Sequence, residues 1–314
     1  MHLSVVIPLF NEEKSLDELY SSINKTISEI NVKYEVIFID DGSTDSSWDK
    51  IKKIVNNYPN VKGIKFLRNF GKSQALSAGF KDAKGDVIIT LDADLQDDPN
   101  EILSLYELMK NENFDLVSGW KKKRYDSLIF KNFPSKIFNW VARKTSGIQL
   151  NDFNCGIKAY KKSVVKKIKL TGGMHRYIPV LAKNAGFEKI SQKIVIHRPR
   201  KHGKTKYGAD RFIKGFLDLT TLWFTHKFGK RPMHFFGLIG TLMLLIGFLF
   251  SLYLGIDKLF IETSGRLITE RPEFYISLTT MIIGSQFFLA GFLGEIILRN
   301  KKIKNLYIVS EKIC

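Results

Sequence analysis

Five short apolar runs recur along the first part of the chain: Ser4 to Pro8, Tyr34 to Asp40, Val61 to Leu67, Asp86 to Asp92 and Phe114 to Gly119. Each is rich in Val and Ile and stops at polar residues or Gly, the pattern of strands buried on both faces. Between them, apolar positions recur at helical spacing over about 13–30, 45–57, 73–84 and 99–111. Pro99 suits a first helical position, with Asp97 or Asp98 before it as the cap. Alternation of strand and helix predicts an α/β fold, a mostly parallel sheet with helices on both faces. Such sheets bind ligands at the carboxyl ends of their strands.

The pattern changes in the second half. Phe235 to Ile256 carries no charge, and Phe274 to Leu298 carries only Glu295 near its end. Each exceeds the roughly 20 apolar residues that a helix needs to cross a bilayer core. Lys227, Lys230 and Arg231 precede the first run, and Arg299, Lys301, Lys302 and Lys304 follow the second. Basic flanks stay on the cytoplasmic side, so a transmembrane hairpin is expected with both termini in the cytoplasm. Ahead of it, Tyr207 to Lys230 mixes Phe212, Phe216, Leu217, Leu219, Leu222, Trp223 and Phe224 with Arg211, Lys214 and Lys227. That reads as an amphipathic helix on a membrane surface or as a core helix. The expected organisation is an α/β domain over 1–206, a juxtamembrane segment over 207–232, membrane helices over 235–256 and 274–298, and a basic tail over 299–314.

Composition sharpens this picture. Across 314 residues, 49 Lys and Arg face 31 Asp and Glu, a net charge of +18. The excess clusters in two runs, Lys121 to Lys144 and Lys193 to Lys214. Either run alone is compatible with a solvated face; two of them near the membrane segment point to an anionic lipid or phosphorylated partner. No nucleic-acid recognition module accompanies them. The two cysteines, Cys155 and Cys314, show no metal-ligand spacing and fit a reducing compartment. The N-terminus lacks the basic start and long apolar run of a signal peptide.

Three of the expected strand ends carry acidic residues. Pro8-Leu9-Phe10-Asn11-Glu12 follows the first, Asp40-Asp41-Gly42-Ser43-Thr44-Asp45 the second and Asp92-Ala93-Asp94 the fourth. Asp92 and Asp94 at a strand end suit Mg²⁺ or Mn²⁺, hard cations that prefer oxygen ligands, and Gln96 offers one more oxygen. The metal would bridge a diphosphate and neutralise the leaving group. Ser43 or Thr44 can cap the next helix; Asp40 and Asp41 are left to accept hydrogen bonds from a nucleobase or ribose. The glycine fingerprints of dinucleotide-binding and P-loop proteins are missing, which disfavours a dehydrogenase or a P-loop nucleotidase.

The segments Ser4–Glu13, Asp40–Asp45 and Asp92–Asp97 resemble the signature of inverting family-2 glycosyltransferases of GT-A (Rossmann-like) fold, the group that includes dolichol-phosphate mannose synthase and bacterial polyprenyl-phosphate glycosyltransferases. The resemblance continues through Asp152–Tyr160, His175-Arg176 and Arg198–Tyr207 into the two-span tail. It implies that Pro8, Glu12, Asp40, Asp41 and Asp92 meet the nucleoside, with Lys72 near the phosphates, and that Asp92, Asp94 and Gln96 surround the metal. Lys131 and Ser135 match positions that hold the acceptor phosphate, although relatives often carry Arg where Lys131 stands. A Lys there keeps the charge and loses the bidentate fork. The chain lacks the Gln-x-x-Arg-Trp motif of processive synthases, which favours transfer of a single sugar.

The expected reaction moves one sugar, with inversion, from a nucleotide-sugar to a polyprenyl phosphate for cell-envelope glycan modification. UDP-sugars and GDP-mannose both fit the motifs. A phosphate acceptor is largely dianionic near neutral pH, since its second pKa is about 6, so a strong general base is not required. Arg124, Lys131, Arg198 and Lys204 would screen two anionic substrates from each other. Asp152 would serve as base or orienting group, or simply cap its loop. Asp94 is the second acidic residue on which activity would depend. Relatives of this architecture include homo-oligomers. A nucleotidyl- or phosphotransferase, and a nucleotide-binding membrane scaffold without transfer activity, are the competing readings.

Overall fold

The structure, a computed structural model, describes residues 2–29, 32–122, 139–140, 142–144, 146–170, 172–199, 201, 224, 228, 231–261, 264–300 and 309–313. The chain forms two compact units, Met1–Leu219 with Asn305–Cys314, and Thr220–Lys304. The first is a three-layer α/β unit. Its strands are β1 (Leu3–Leu9), β2 (Tyr34–Asp40), β3 (Val61–Phe66), β4 (Val87–Thr90), β5 (Leu116–Trp120), β6 (Lys158–Lys161), β7 (Ile190–Ile194) and β8 (Val309–Ile313). Among the described residues they make one sheet in the order β7-β5-β6-β4-β1-β2-β3-β8. Only β6 and β8 run against the others, so the sheet is mostly parallel, as expected.

Period-two burial divides the strand side chains between two cores. Leu3, Val5, Ile7 and Leu9 of β1, with Val36 and Phe38 of β2, enter one core. Val6, Ile37 and Ile39 enter the other. The first core is closed by α1 (Leu16–Ser28), α2 (Ser47–Asn57) and α4 (Glu101–Asn111), which bury faces such as Leu16, Leu19, Tyr20, Ile23 and Ile27. The second lies under α3 (Lys72–Asp82), α5 (Lys162–Lys167) and α6 (Ile178–Asn184).

Two details differ from the sequence expectation. The helix at Pro99 begins at Glu101, with Asn100 as its flanking residue; Pro99 lies in the preceding turn, where the Glu101 amide donates to the Asp98 carbonyl at 3.1 Å. The tail does not end as free basic chain: Val309–Ile313 pairs antiparallel with β3, Glu311 accepts a 2.8 Å hydrogen bond from the Trp48 indole, and Ile313 packs against the first core.

The second unit is a pair of helices, α7 (Met233–Ile256) and α8 (Pro272–Asn300), both long and apolar enough to cross a membrane. The 24 residues of α7 span about 36 Å. Small residues let the two backbones approach: a Cβ on Gly240 would lie 2.6 Å from the Gly284 carbonyl oxygen, and Ser251 and Ser277 share a 2.7 Å hydroxyl contact. Leu242, Leu245, Ile246, Leu249, Leu289 and Leu293 are exposed, as for a lipid-facing surface. The expected interfacial helix over 207–232 falls almost wholly outside the described residues.

Candidate active site

The carboxyl ends of β2, β1 and β4 are neighbours in the sheet, so the loops after them converge on one edge. Loops after β1 and β2 are stitched together. The Asn11 amide donates to Ser43 Oγ at 2.8 Å, Asn11 Oδ1 accepts from the Thr44 amide at 2.8 Å, and the Glu12 amide donates to Ser47 Oγ at 3.0 Å. Asn11 takes a left-handed conformation (φ 54°) to reach these partners. Pro8 lies inside β1, in register with Ile39; β4 has already left the ladder, its last pair being Val6 with Thr90. Pro8's missing donor therefore costs the β4 side of the ladder nothing.

Asp40 and Asp41 follow different fates at the end of β2. Asp41 Oδ1 accepts from the Phe70 amide at 2.7 Å, and its Oδ2 from the Gly71 amide at 2.9 Å, so it shapes the loop before α3. Burial pushes its pKa up to about 6 against the pull of those two amides. Asp40 is fully buried; its Oδ1 accepts from the Ser43 amide at 2.8 Å, while Oδ2 has no hydrogen-bond donor among the described residues. Burial also raises the Asp40 pKa. A buried carboxylate oxygen left without a donor costs free energy unless a ligand supplies one.

After β4 the chain alternates: Asp92, Asp94 and Gln96 are partly exposed, whereas Ala93, Leu95 and Asp97 are buried. The three expected metal donors thus share the accessible side of one loop. Leu95 adopts φ 60°, an uncommon conformation for a side chain branched at Cγ, and Asp94 Oδ1 accepts from the Gln96 amide at 3.2 Å. Lys72 Nζ lies 2.5 Å from Asp92 Oδ1. Desolvation opposes ionisation of Asp92, but the Lys72 ammonium wins and holds its carboxyl well below the usual range. From the other side Gly156 packs against this carboxylate: a Cβ there would sit 2.6 Å from Asp92 Cγ.

Residues from β6 and its preceding loop complete the edge. Asp152 is buried, and its Oδ1 accepts from the Asn154 amide at 3.0 Å, the geometry of a loop cap. Its carbonyl accepts from Ser118 Oγ at 3.2 Å. Arg198 Nη2 lies 2.5 Å from Asp98 Oδ2. Arg124, Lys131, Ser135 and Lys204 lie outside the described residues.

Several residues of the site carried weaker sequence signals. Lys121 Nζ lies 2.5 Å from Asp97 Oδ1, both side chains nearly inaccessible. Burial would lower the Lys121 pKa, but Asp97 raises it, so the ammonium persists. In sequence Lys121 merged with a basic run and Asp97 read as a helix cap. Lys158 is buried in β6 and donates to the Cys155 carbonyl; burial lowers its pKa. The Ser73 hydroxyl accepts from the His175 amide at 3.0 Å and also lies within hydrogen-bond distance, 3.0 Å, of His175 Nδ1. Loss of hydration, then the neighbouring Lys72 charge, pushes the His175 pKa well below that of a free imidazole.

The donor set at Asp92, Asp94 and Gln96 is all oxygen, two carboxylates and an amide, which fits a hard divalent cation.

The chain is 35% identical over 301 residues to the dodecaprenyl-phosphate galacturonate synthase of Rhizobium johnstonii, covering 95% of this chain and 88% of that protein. It is 35% identical over 297 residues to the undecaprenyl-phosphate 4-deoxy-4-formamido-L-arabinose transferase of Shewanella sediminis, covering 94% and 86%. Glucosyl-3-phosphoglycerate synthase from Mycobacterium tuberculosis, solved with Mn²⁺, UDP-glucose and phosphoglyceric acid, shares the fold (TM-score 0.53, 20% identity, 72% of this chain and 79% of that one). Residues 4–169, which hold every strand end just described, match the glycosyl transferase family 2 profile. With its acidic strand ends, GT-A sheet and relatives in agreement, this chain belongs to glycosyl transferase family 2.

Proposed function

We propose that the protein transfers a single sugar, with inversion, from a nucleoside-diphosphate sugar, UDP being the favoured nucleotide, to a polyprenyl phosphate at the cytoplasmic face of a membrane. The observation that carries this reading is the accessible Asp92–Asp94–Gln96 side of the β4 loop, with Lys72 on Asp92, in a chain that also holds two membrane-length helices. Relatives named for polyprenyl-phosphate sugar transfer support the acceptor class.

The buried, donor-poor Oδ2 of Asp40 accepts a nucleobase N–H, for which the imide of uracil is suited. Glu12 and Pro8 border the same end of β1 and complete the nucleoside site. Asp92, Asp94 and Gln96 would hold Mg²⁺ or Mn²⁺, which supplies charge neutralisation at the departing diphosphate. Lys72 sits where it contributes positive charge to the same group. A phosphate oxygen of the acceptor attacks the anomeric carbon from the face opposite the leaving group, forming the new C–O bond as the bond to the nucleoside diphosphate breaks. The acceptor is already ionised, so Asp152 orients it rather than supplying a strong base. Arg124, Lys131, Ser135 and Lys204 are the proposed acceptor-phosphate contacts.

Both chain ends of the α7–α8 pair lead into the same α/β unit, because β8 belongs to its sheet. A pair of crossings that starts and ends in one unit returns to one side, and the basic flanks select the cytoplasm.

The test is incubation of the detergent-purified chain with undecaprenyl phosphate and a panel of radiolabelled UDP- and GDP-sugars, with Mg²⁺ or with EDTA. Metal-dependent label from one donor in the lipid fraction supports the reading. Label in no lipid product, from a folded protein that still binds nucleotide, overturns it in favour of another acceptor or a scaffold.

A further inference from the structure

At the end of β7 and just beyond it, residues 193–198 lie along Gln96 to Ser104, the stretch that continues the loop bearing Asp92 and Asp94. Lys193 Nζ contacts Glu101 Oε2 at 2.6 Å and Ser104 Oγ at 2.7 Å, and the Ile196 amide donates to Glu101 Oε1 at 3.1 Å. His197 forms an antiparallel bridge with Asp97. The Arg198 amide then donates to the Gln96 carbonyl at 2.8 Å, and the Arg198 guanidinium holds Asp98 at 2.5 Å.

These contacts fall on the stretch where the loop most needs them. Leu95 sits at φ 60°, a conformation that costs about 1 kcal/mol or more and persists only when surrounding contacts over-determine it. Gln96, the next residue, is tied through its carbonyl to Arg198, and Asp98 is tied to the same residue's side chain. One residue thus grips the loop on both sides of Asp97, itself fixed from below by Lys121. The Arg198 side chain is half exposed, so it does not build the core; Asp98 is almost fully buried and Arg198 is its ion-pair partner.

We infer that Arg198 is a positioning residue: through Asp98 and the Gln96 carbonyl it holds the Asp92–Gln96 loop in the shape that binds the divalent cation. The inference rests on the metal assignment made in the proposed function. It gives Arg198 a task other than direct contact with the acceptor phosphate. Removing a partner that orients ligands from outside typically costs 10–100-fold in metal affinity or activity.

The experiment measures Mn²⁺ binding to the full-length protein in detergent with saturating UDP, by loss of the free Mn²⁺ electron paramagnetic resonance signal. Wild type, Arg198→Ala, Asp98→Asn and the double variant are compared, with thermal melting as the fold control. The expected result is roughly tenfold weaker Mn²⁺ binding in each single variant, as an outer partner predicts. The double variant should be no worse than the singles, since both remove one ion pair. Transfer assays on Arg198→Ala should show the same rise in the metal concentration needed, with an unchanged KM for undecaprenyl phosphate. Wild-type Mn²⁺ affinity in a folded Arg198→Ala, with a raised acceptor KM, overturns the inference and returns Arg198 to the acceptor phosphate. No Mn²⁺ binding by the wild type overturns both this inference and the metal assignment beneath it.

Discussion

Gly156→Ala adds one methyl group at the point where β6's approach loop touches the site. The added carbon would lie 2.6 Å from Asp92 Cγ, against the 3.5–4.0 Å at which carbon atoms rest without repulsion. Roughly 1 Å of movement is needed, and the Asp92 carboxylate is the mobile partner, because Gly156 is backbone whose carbonyl is held by Thr90 Oγ1 at 2.9 Å. Moving Asp92 stretches its 2.5 Å contact with Lys72 and shifts a proposed metal donor. Overpacking of this kind costs about 1–3 kcal/mol of stability, a loss that leaves a domain folded. A 1 Å misplacement in a catalytic site can cost about 100-fold in rate. The assay is initial-rate transfer to undecaprenyl phosphate alongside a thermal melt of the same preparation. The expectation is a folded protein with kcat/KM reduced about 100-fold. A folded Gly156→Ala protein with wild-type kinetics would refute the placement of Asp92 at the reacting centre.

Three further outcomes follow from the geometry. Asp40→Asn turns the donor-poor Oδ2 into an amide that cannot accept as a carboxylate does, or rotates a donor into its place, so UDP affinity by calorimetry should fall about tenfold, corresponding to a lost hydrogen bond to a charged group. Asp41 has a folded pKa of about 6 against an ordinary 3.8, so its contribution to stability is whole below about pH 4 and is lost as pH rises through 6; against Asp41→Asn the wild type should lose about 2 kcal/mol between pH 4.5 and pH 7, read from denaturant unfolding at those two pH values. Deleting residues 309–314 uncovers the β3 edge and leaves the Trp48 indole without Glu311, which should lower the melting temperature by several degrees and raise aggregation on heating.

The parts of the fold that were legible in sequence are those where a local pattern and the tertiary environment agree. β2 was readable residue for residue because Val36–Ile39 is an unbroken apolar run that stops at Asp40 and Asp41. The helices α1, α2, α3 and α4 revealed themselves by periodicity, whereas the short α5 and α6 did not. β6 and β8 were not readable: β6 holds two lysines in four residues and slots between β4 and β5 out of chain order. β8 includes charged Glu311 and Lys312, whose partners, Trp48 and Asp82, are more than 200 positions away. Pro99 misled because a proline that suits a helix start also suits the turn before one, and the Asp98 carbonyl decided between them.

The site divides along the same line. Asp40, Asp92 and Asp94 announced themselves by position at strand ends. Lys121 and Lys158 did not, since their meaning depends on a buried carboxylate and a carbonyl that only the fold brings near. Arg198 was visible as a charge, but its bond to Asp98 depends on the turn after β7.

The proposed reaction moves one sugar onto one lipid phosphate at the Asp92–Asp94 loop. Mass spectrometry of undecaprenyl phosphate incubated with the accepted donor, Mg²⁺ and either wild type or Asp94→Asn tests it most directly. The expected result is a product heavier by a single sugar residue with the wild type, and unchanged lipid with a folded Asp94→Asn protein. A lipid carrying two or more added sugars, or equal conversion by Asp94→Asn, would contradict it.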